Sequence, residues 1–230
     1  MATPLILLPG MICDARLFAP QIAQFSPLRP VSVPQFSGVS IEQIARQVLA
    51  DAPPRFALAG LSMGGIVAME ILSRAPDRVE RLALVDTNAR AERPEVASRR
   101  DRQIADVRAG GLLTVMRDEM KPNYLADGPD KPGLLALCST MATDLGPQAF
   151  EDQSRALQAR PDQRPRLGRI HVPTLVMCGA KDSLCPPAYH HEIAGLIPGA
   201  LLQIVPNAGH LPVLEAPGAT NAALASWLTL

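Results

Sequence analysis

The chain lacks an excess of charge of either sign: 22 Lys and Arg are matched by 22 Asp and Glu over 230 residues. No global field therefore favours nucleic acid or an anionic membrane surface, and neither is expected as a partner. It also lacks a long apolar run. The stretch Pro4-Leu5-Ile6-Leu7-Leu8-Pro9 is too short for a membrane span, and no positive region precedes it as in an export signal, so it reads as a buried strand. Cysteine is sparse, and Cys13, Cys138, Cys178 and Cys185 show no C-x-x-C spacing. That pattern excludes a zinc knuckle or a disulfide framework and points to a reducing, cytoplasmic compartment. Cys178, inside an apolar run, reads as a small core residue.

Histidine is scarce too, with four in the chain. His190 and His191 precede Glu192, but adjacent helical residues do not share a face and no further ligand follows at helical spacing. The trio is expected on a solvated helix surface, and no metal or cofactor is expected. Internal repeats and low-complexity tracts are absent.

Apolar content of 47% with 19% charge is that of a globular domain. Short apolar runs at residues 3–8, 30–35, 56–59, 81–85, 174–178 and 201–205 alternate with amphipathic stretches at 15–24, 41–50, 63–75, 187–196 and 216–228. This alternation predicts an α/β fold, with mostly parallel strands joined by crossover helices. Pro76 and Pro198 follow two of the helices as stop signals. Between about 91 and 165 the alternation stops. A structureless loop of that length is improbable in a compact domain, so helices are expected at 96–109, 112–120, 134–142 and 148–157.

Gly60-Leu61-Ser62-Met63-Gly64 lies between an apolar run and a helix-like run. A serine hydroxyl is a poor nucleophile unless a tight turn presents it to a base and to N–H donors for the oxyanion. The G-x-S-x-G pattern in a strand-to-helix setting supplies that turn. The base is expected at His210, in the turn-rich Pro206-Asn207-Ala208-Gly209-His210 after the last strand. In a parallel sheet, loops after strand carboxyl ends share one rim, which places Ser62 and His210 together. Asp182, in Gly179-Ala180-Lys181-Asp182, follows another strand on that rim and gives the order serine, acid, histidine. Asp86 is the competing carboxylate. The N–H groups of Met63 and Met11 are the expected oxyanion donors, with Gly10 permitting close approach.

With these motifs in this order, the chain resembles the α/β-hydrolase superfamily over nearly its whole length. The resemblance implies a six-stranded sheet that lacks the family's first two strands, with helices on both faces. It further implies a core of residues 1–90 and 166–230 and a helical cap of residues 91–165, inserted after the family's sixth strand. Met116, Leu137 and Met141 in that segment, with Ile12 and Leu211 beside the site, are expected to line the pocket. The implied activity is hydrolysis of a small carboxylic ester through an acyl-enzyme, with a small acyl compound as substrate and no cofactor. C–C bond or thioester cleavage by the same triad, or a non-catalytic small-ligand receptor, are the alternatives. The fold and triad serve many chemistries, and Pro9-Gly10 stands where many relatives carry His-Gly, so substrate class does not follow from the resemblance.

Overall fold

Each short apolar run forms a strand in the computed structural model, which describes residues 2–230. The strands are β1 (Leu5–Leu8), β2 (Val31–Ser32), β3 (Phe56–Leu61), β4 (Val79–Val85), β5 (Thr174–Gly179) and β6 (Leu201–Val205). They make one sheet in the order β2-β1-β3-β4-β5-β6. Every pairing is parallel, rather than most of them. β2 is shorter than its apolar run because Pro30 and Pro34 bracket it and cannot donate to a ladder, which suits an edge position.

β1, β3 and β5 are buried along their whole length, because helices cover both faces of the sheet. Alternate residues serve the two faces. Ile6, Leu8, Leu58, Leu84 and Val176 belong to one apolar cluster. Leu5, Leu7, Ala59, Val85 and Met177 belong to the other. On the first face lie α2 (Ile41–Asp51) and α3 (Met63–Arg74), through Ile44, Val67 and Ile71. Ser40 starts α2 by accepting the Gln43 N–H at 3.1 Å. On the second face lie α1 (Ala19–Phe25) and the terminal helix Pro217–Trp227, with Phe25 and Trp227 buried.

The chain moves outward from β1 to β2 and then returns to β3 on the other side of β1. This reversal opens a crevice at the carboxyl ends of β1 and β3, where ligands bind in open α/β sheets. Register sets the ends of neighbouring strands level: Leu8 pairs with Gly60, Val85 with Met177, and Gly179 with Val205.

The interval between β4 and β5 is helical. It holds α4 (Pro94–Asp106), a wider-turned run through Gly111 and residues 112–123, and the long helix Lys131–Gln158. Gly146, at φ 82° and followed by Pro147, breaks that long helix into two. The halves correspond to the helices expected at 134–142 and 148–157. No helix among the described residues is long and apolar enough to cross a membrane.

Candidate active site

Among the described residues, three other than glycine have positive φ: Ile12 at 56°, Ser62 at 55° and Asp86 at 42°. They sit just past the carboxyl ends of β1, β3 and β4, so the backbone strain gathers on one rim of the sheet. At Ser62 the strain comes from turning β3 directly into α3. A Cβ at Gly60 would lie 2.3 Å from the Gly64 carbonyl oxygen, and one at Gly64 would lie 2.0 Å from that of Leu8. Only glycine fits at either position. The strained backbone is pinned. The Ser62 N–H donates to the Val85 carbonyl at 2.9 Å, and its own carbonyl accepts the Thr87 hydroxyl at 2.6 Å.

The structure brings together the three side chains singled out from sequence. Ser62 Oγ lies 2.9 Å from His210 Nε2, and His210 Nδ1 lies 2.8 Å from Asp182 Oδ2. The other oxygen of Asp182 accepts the N–H groups of Leu184 at 2.8 Å and Cys185 at 3.0 Å. Burial by itself would raise the Asp182 carboxyl. The charge and hydrogen bond of His210, the Cys185 N–H and a hydrogen bond with Asp86 outweigh it and hold the group at about 2. The histidine loop is clamped as well. The Tyr124 carbonyl accepts the His210 N–H at 2.7 Å, while the Glu215 carboxylate accepts those of Gly209, Leu211 and Ala126.

Asp86, the competing acid, lies behind Asp182 rather than against His210. It is fully buried, with Oδ1 accepting the Gly179 N–H at 2.9 Å. Burial, and then the Asp182 charge, push its carboxyl well above the usual carboxylate range. Its Oδ2 is enclosed with no donor reaching it. The two neighbouring carboxyls are thus shifted in opposite directions, Asp86 upward by burial and Asp182 downward by His210 and its donors, so Asp86 is the one that holds a proton more readily.

His190 corrects the expectation of a solvated helix surface. It is fully buried, and its Nε2 accepts the Thr87 N–H at 2.9 Å. Burial pushes its imidazole down to about 4, which keeps it neutral. His191 is exposed as expected, and Glu192 pairs with Arg90 and Arg164.

A cavity of about 420 Å³ opens over Ser62 and His210. Met11 and Met63, the expected oxyanion donors, and Leu211, an expected pocket residue, are among the residues that line it. Neither the Met11 nor the Met63 N–H has a protein acceptor among the described residues. The remaining pocket residues are corrected. Ile12 is buried in the core, and its N–H is held at 2.7 Å by Gln153 Oε1 from the long helix. Met116 and Met141 are buried, Leu137 is half-buried, and all three pack among apolar neighbours outside the cavity. An apolar residue on an amphipathic helix goes to whichever face is packed, and here those faces join the two apolar clusters that cover the sheet. The residues this segment does send to the cavity include Val96, Arg100, Gln103, Met120, Tyr124 and Leu157. Nothing in the sequence singled them out.

Asp182, Cys185 and His210 offer ligand atoms within 4.8 Å of one another. Those atoms are already engaged: both Asp182 oxygens and both His210 nitrogens have partners, and burial raises the Cys185 thiol well above its ordinary value. A protonated thiol is a poor metal ligand.

The chain is similar to known hydrolases. It is 30% identical, over 75% of its length and 67% of the relative's, to the pimeloyl-[acyl-carrier protein] methyl ester esterase of Neisseria meningitidis serogroup B. A solved thermophilic esterase from Thermogutta terrifontis superposes with a TM-score of 0.90 at 26% identity, covering all of this chain and 90% of that one. The enol-lactonase from Burkholderia xenovorans LB400 superposes at 0.88 with 28% identity, covering all of this chain and 92% of that one. The model of the alpha/beta hydrolase family matches residues 6–223. With that match over an all-parallel sheet whose rim carries a serine elbow, the chain belongs to the alpha/beta hydrolase family.

Proposed function

We propose that the protein hydrolyses a small carboxylic ester through an acyl-enzyme on Ser62. The unbroken run of hydrogen bonds from Ser62 Oγ through His210 to Asp182, opening on the cavity, carries this reading. Ser62 Oγ attacks the ester carbonyl carbon while His210 Nε2 takes its proton. The oxyanion that forms accepts from the free N–H groups of Met63 and Met11. Collapse of this intermediate expels the alcohol, which takes the proton back from His210. Water then gives a proton to His210, attacks the acyl carbon and releases the acid, restoring Ser62. Asp182 stays ionised, orients His210 through Nδ1 and stabilises the imidazolium.

The relatives favour an ester over a thioester or a carbon–carbon bond: two are esterases by name and the third acts on an enol-lactone, an internal ester. Residues 91–165 act as a cap on this reading, since they supply one wall of the cavity above Ser62. The compartment is read as cytoplasmic from four cysteines that all remain free thiols.

Purified Ser62→Ala is expected to keep its fold and to lose about 10⁴-fold or more in kcat, as when one member of a concerted triad is removed. A serine-reactive phosphonate should label the wild type at Ser62 and leave the variant unlabelled. A non-catalytic receptor would show neither effect, and near-wild-type turnover by the variant would remove Ser62 from the mechanism.

A further inference from the structure

The cavity wall facing Ser62 is unusually basic for a neutral protein. Five arginines line it, Arg90, Arg93, Arg99, Arg100 and Arg160, against two glutamates, Glu92 and Glu119. Most of this charge is spent locally or lies in solvent. Arg90 pairs with Glu192, Arg93 with Glu95, and both Arg99 and Glu119 are exposed.

The innermost group is different. Arg100 Nε donates to Glu92 Oε2 at 2.8 Å, and an Arg160 Nη donates to Glu92 Oε1 at 3.0 Å. The side chains of Arg100, Glu92 and Arg160 are only 14%, 4% and 9% exposed. One carboxylate thus serves two guanidiniums, leaving one unit of positive charge in a site largely shielded from water. Such a surplus is costly unless an anion balances it.

The unspent face of Arg100 points to the reacting end. Its Nη1 lies 3.6 Å from Met11 Sδ, a weak acceptor on the residue whose N–H is the proposed oxyanion donor. Arg160 turns its Nε away, to the Arg90 carbonyl at 3.0 Å. Both guanidiniums keep donors, but it is Arg100 that reaches Met11 beside Ser62, which makes it the one tied to the reacting end.

We propose that the ester taken by this site carries a carboxylate, bound by Arg100 across the cavity from Ser62. The proposal rests on the assignment of Ser62 as an esterase nucleophile and adds the chemical class of its substrate. A single carboxylate matches the surplus in charge and the planar fork of a guanidinium, whereas a doubly charged phosphate would exceed it.

The test compares monoethyl esters of dicarboxylic acids of graded chain length with ethyl esters of monocarboxylic acids of equal length. The wild type should favour the charged series by at least tenfold in kcat/KM. In Arg100→Gln that ratio should fall by about 10- to 100-fold, the value of a hydrogen-bonded charge, with Arg100→Lys intermediate because it keeps charge but not the fork. Arg117→Gln, which removes an equal charge from an exposed pair with Asp118, should leave the ratio unchanged. A wild-type enzyme that turns over both series without preference overturns the proposal and leaves the esterase assignment standing. Binding to Ser62→Ala, measured by calorimetry, separates the two claims in the other direction. If no ester is turned over, the esterase assignment fails, while tighter binding of the half-esters than of the neutral esters still upholds the carboxylate site. Equal binding refutes it whatever the turnover.

Discussion

The carboxyl groups of Asp86 and Asp182 are neighbours, yet their surroundings shift them in opposite directions. Asp182 faces His210 and two backbone N–H donors, whereas Asp86 has one N–H donor and a buried, negatively charged neighbour. Asp182→Asn should therefore cost far more activity than Asp86→Asn. The first places an amide against Nδ1 and favours the wrong histidine tautomer, while the second keeps both the acceptor for Gly179 and a donor for Asp182. Rates of the two variants at matched stability decide the matter, and equal losses would move the catalytic acid to Asp86. The variants should also differ in pH dependence. A carboxyl whose pKa is raised on folding holds a proton that the unfolded chain has lost, so its contribution to stability falls as pH rises above its unfolded value near 3.8. Asp86→Asn removes that loss, and its melting temperature should gain on the wild type between pH 4 and pH 8. Asp182 works in the opposite sense. Lowered from 3.8 to about 2, it contributes stability that is present above 3.8 and lost as pH falls through about 2.

At the scale of elements, the helix Pro187–Leu196 is tied to the turn that carries Ser62 through His190. His190 accepts from the Thr87 backbone, and the Thr87 hydroxyl in turn holds the Ser62 carbonyl. With its imidazole lowered from 6.5 to about 4, His190 contributes stability that is complete above pH 6.5 and lost as pH falls through about 4. The loss amounts to about 3 kcal/mol. His190→Ala should cost about 1–3 kcal/mol at neutral pH from the unpaired Thr87 N–H, and it should flatten the acid limb of a denaturation series. An unchanged acid limb would show that another group governs it. The segment 91–165 allows a second comparison. Met141 is fully buried outside the cavity, so Met141→Ala should cost about 2–5 kcal/mol in stability and leave chain-length preference as it was. A shift in preference without loss of stability would place Met141 in the pocket after all.

At the scale of the whole molecule, the all-parallel sheet gathers the loops after β1, β3, β4, β5 and β6 on one rim, and the helical segment closes over them. Gln153 is a bond between these two parts: buried itself, it holds the N–H of Ile12 beside the proposed oxyanion donor Met11. Gln153→Ala should lower kcat several-fold with little change in KM, because a loosened oxyanion loop weakens stabilisation of the transition state more than binding. A change confined to KM would make Gln153 a substrate contact instead. How much of this was legible beforehand follows from the range of each interaction. The strands, the helices and the rim positions of Ser62, Asp182 and His210 could be read from the chain, because periodicity is local and a parallel sheet puts every strand's carboxyl end on one side. Even the break at Gly146-Pro147 was implied by two separate helical stretches. The side-chain surroundings could not be read. His190 meets Thr87 across 103 positions, and Gln153 meets Ile12 across 141. The apolar residues of 91–165 point wherever the tertiary packing provides a dry face. The sequence by itself determined the architecture and the chain order of the proposed nucleophile, acid and base. Only the tertiary structure decided which carboxyl meets His210, which histidine is buried and which arginines line the cavity over Ser62, because burial and contact depend on neighbours distant in the chain.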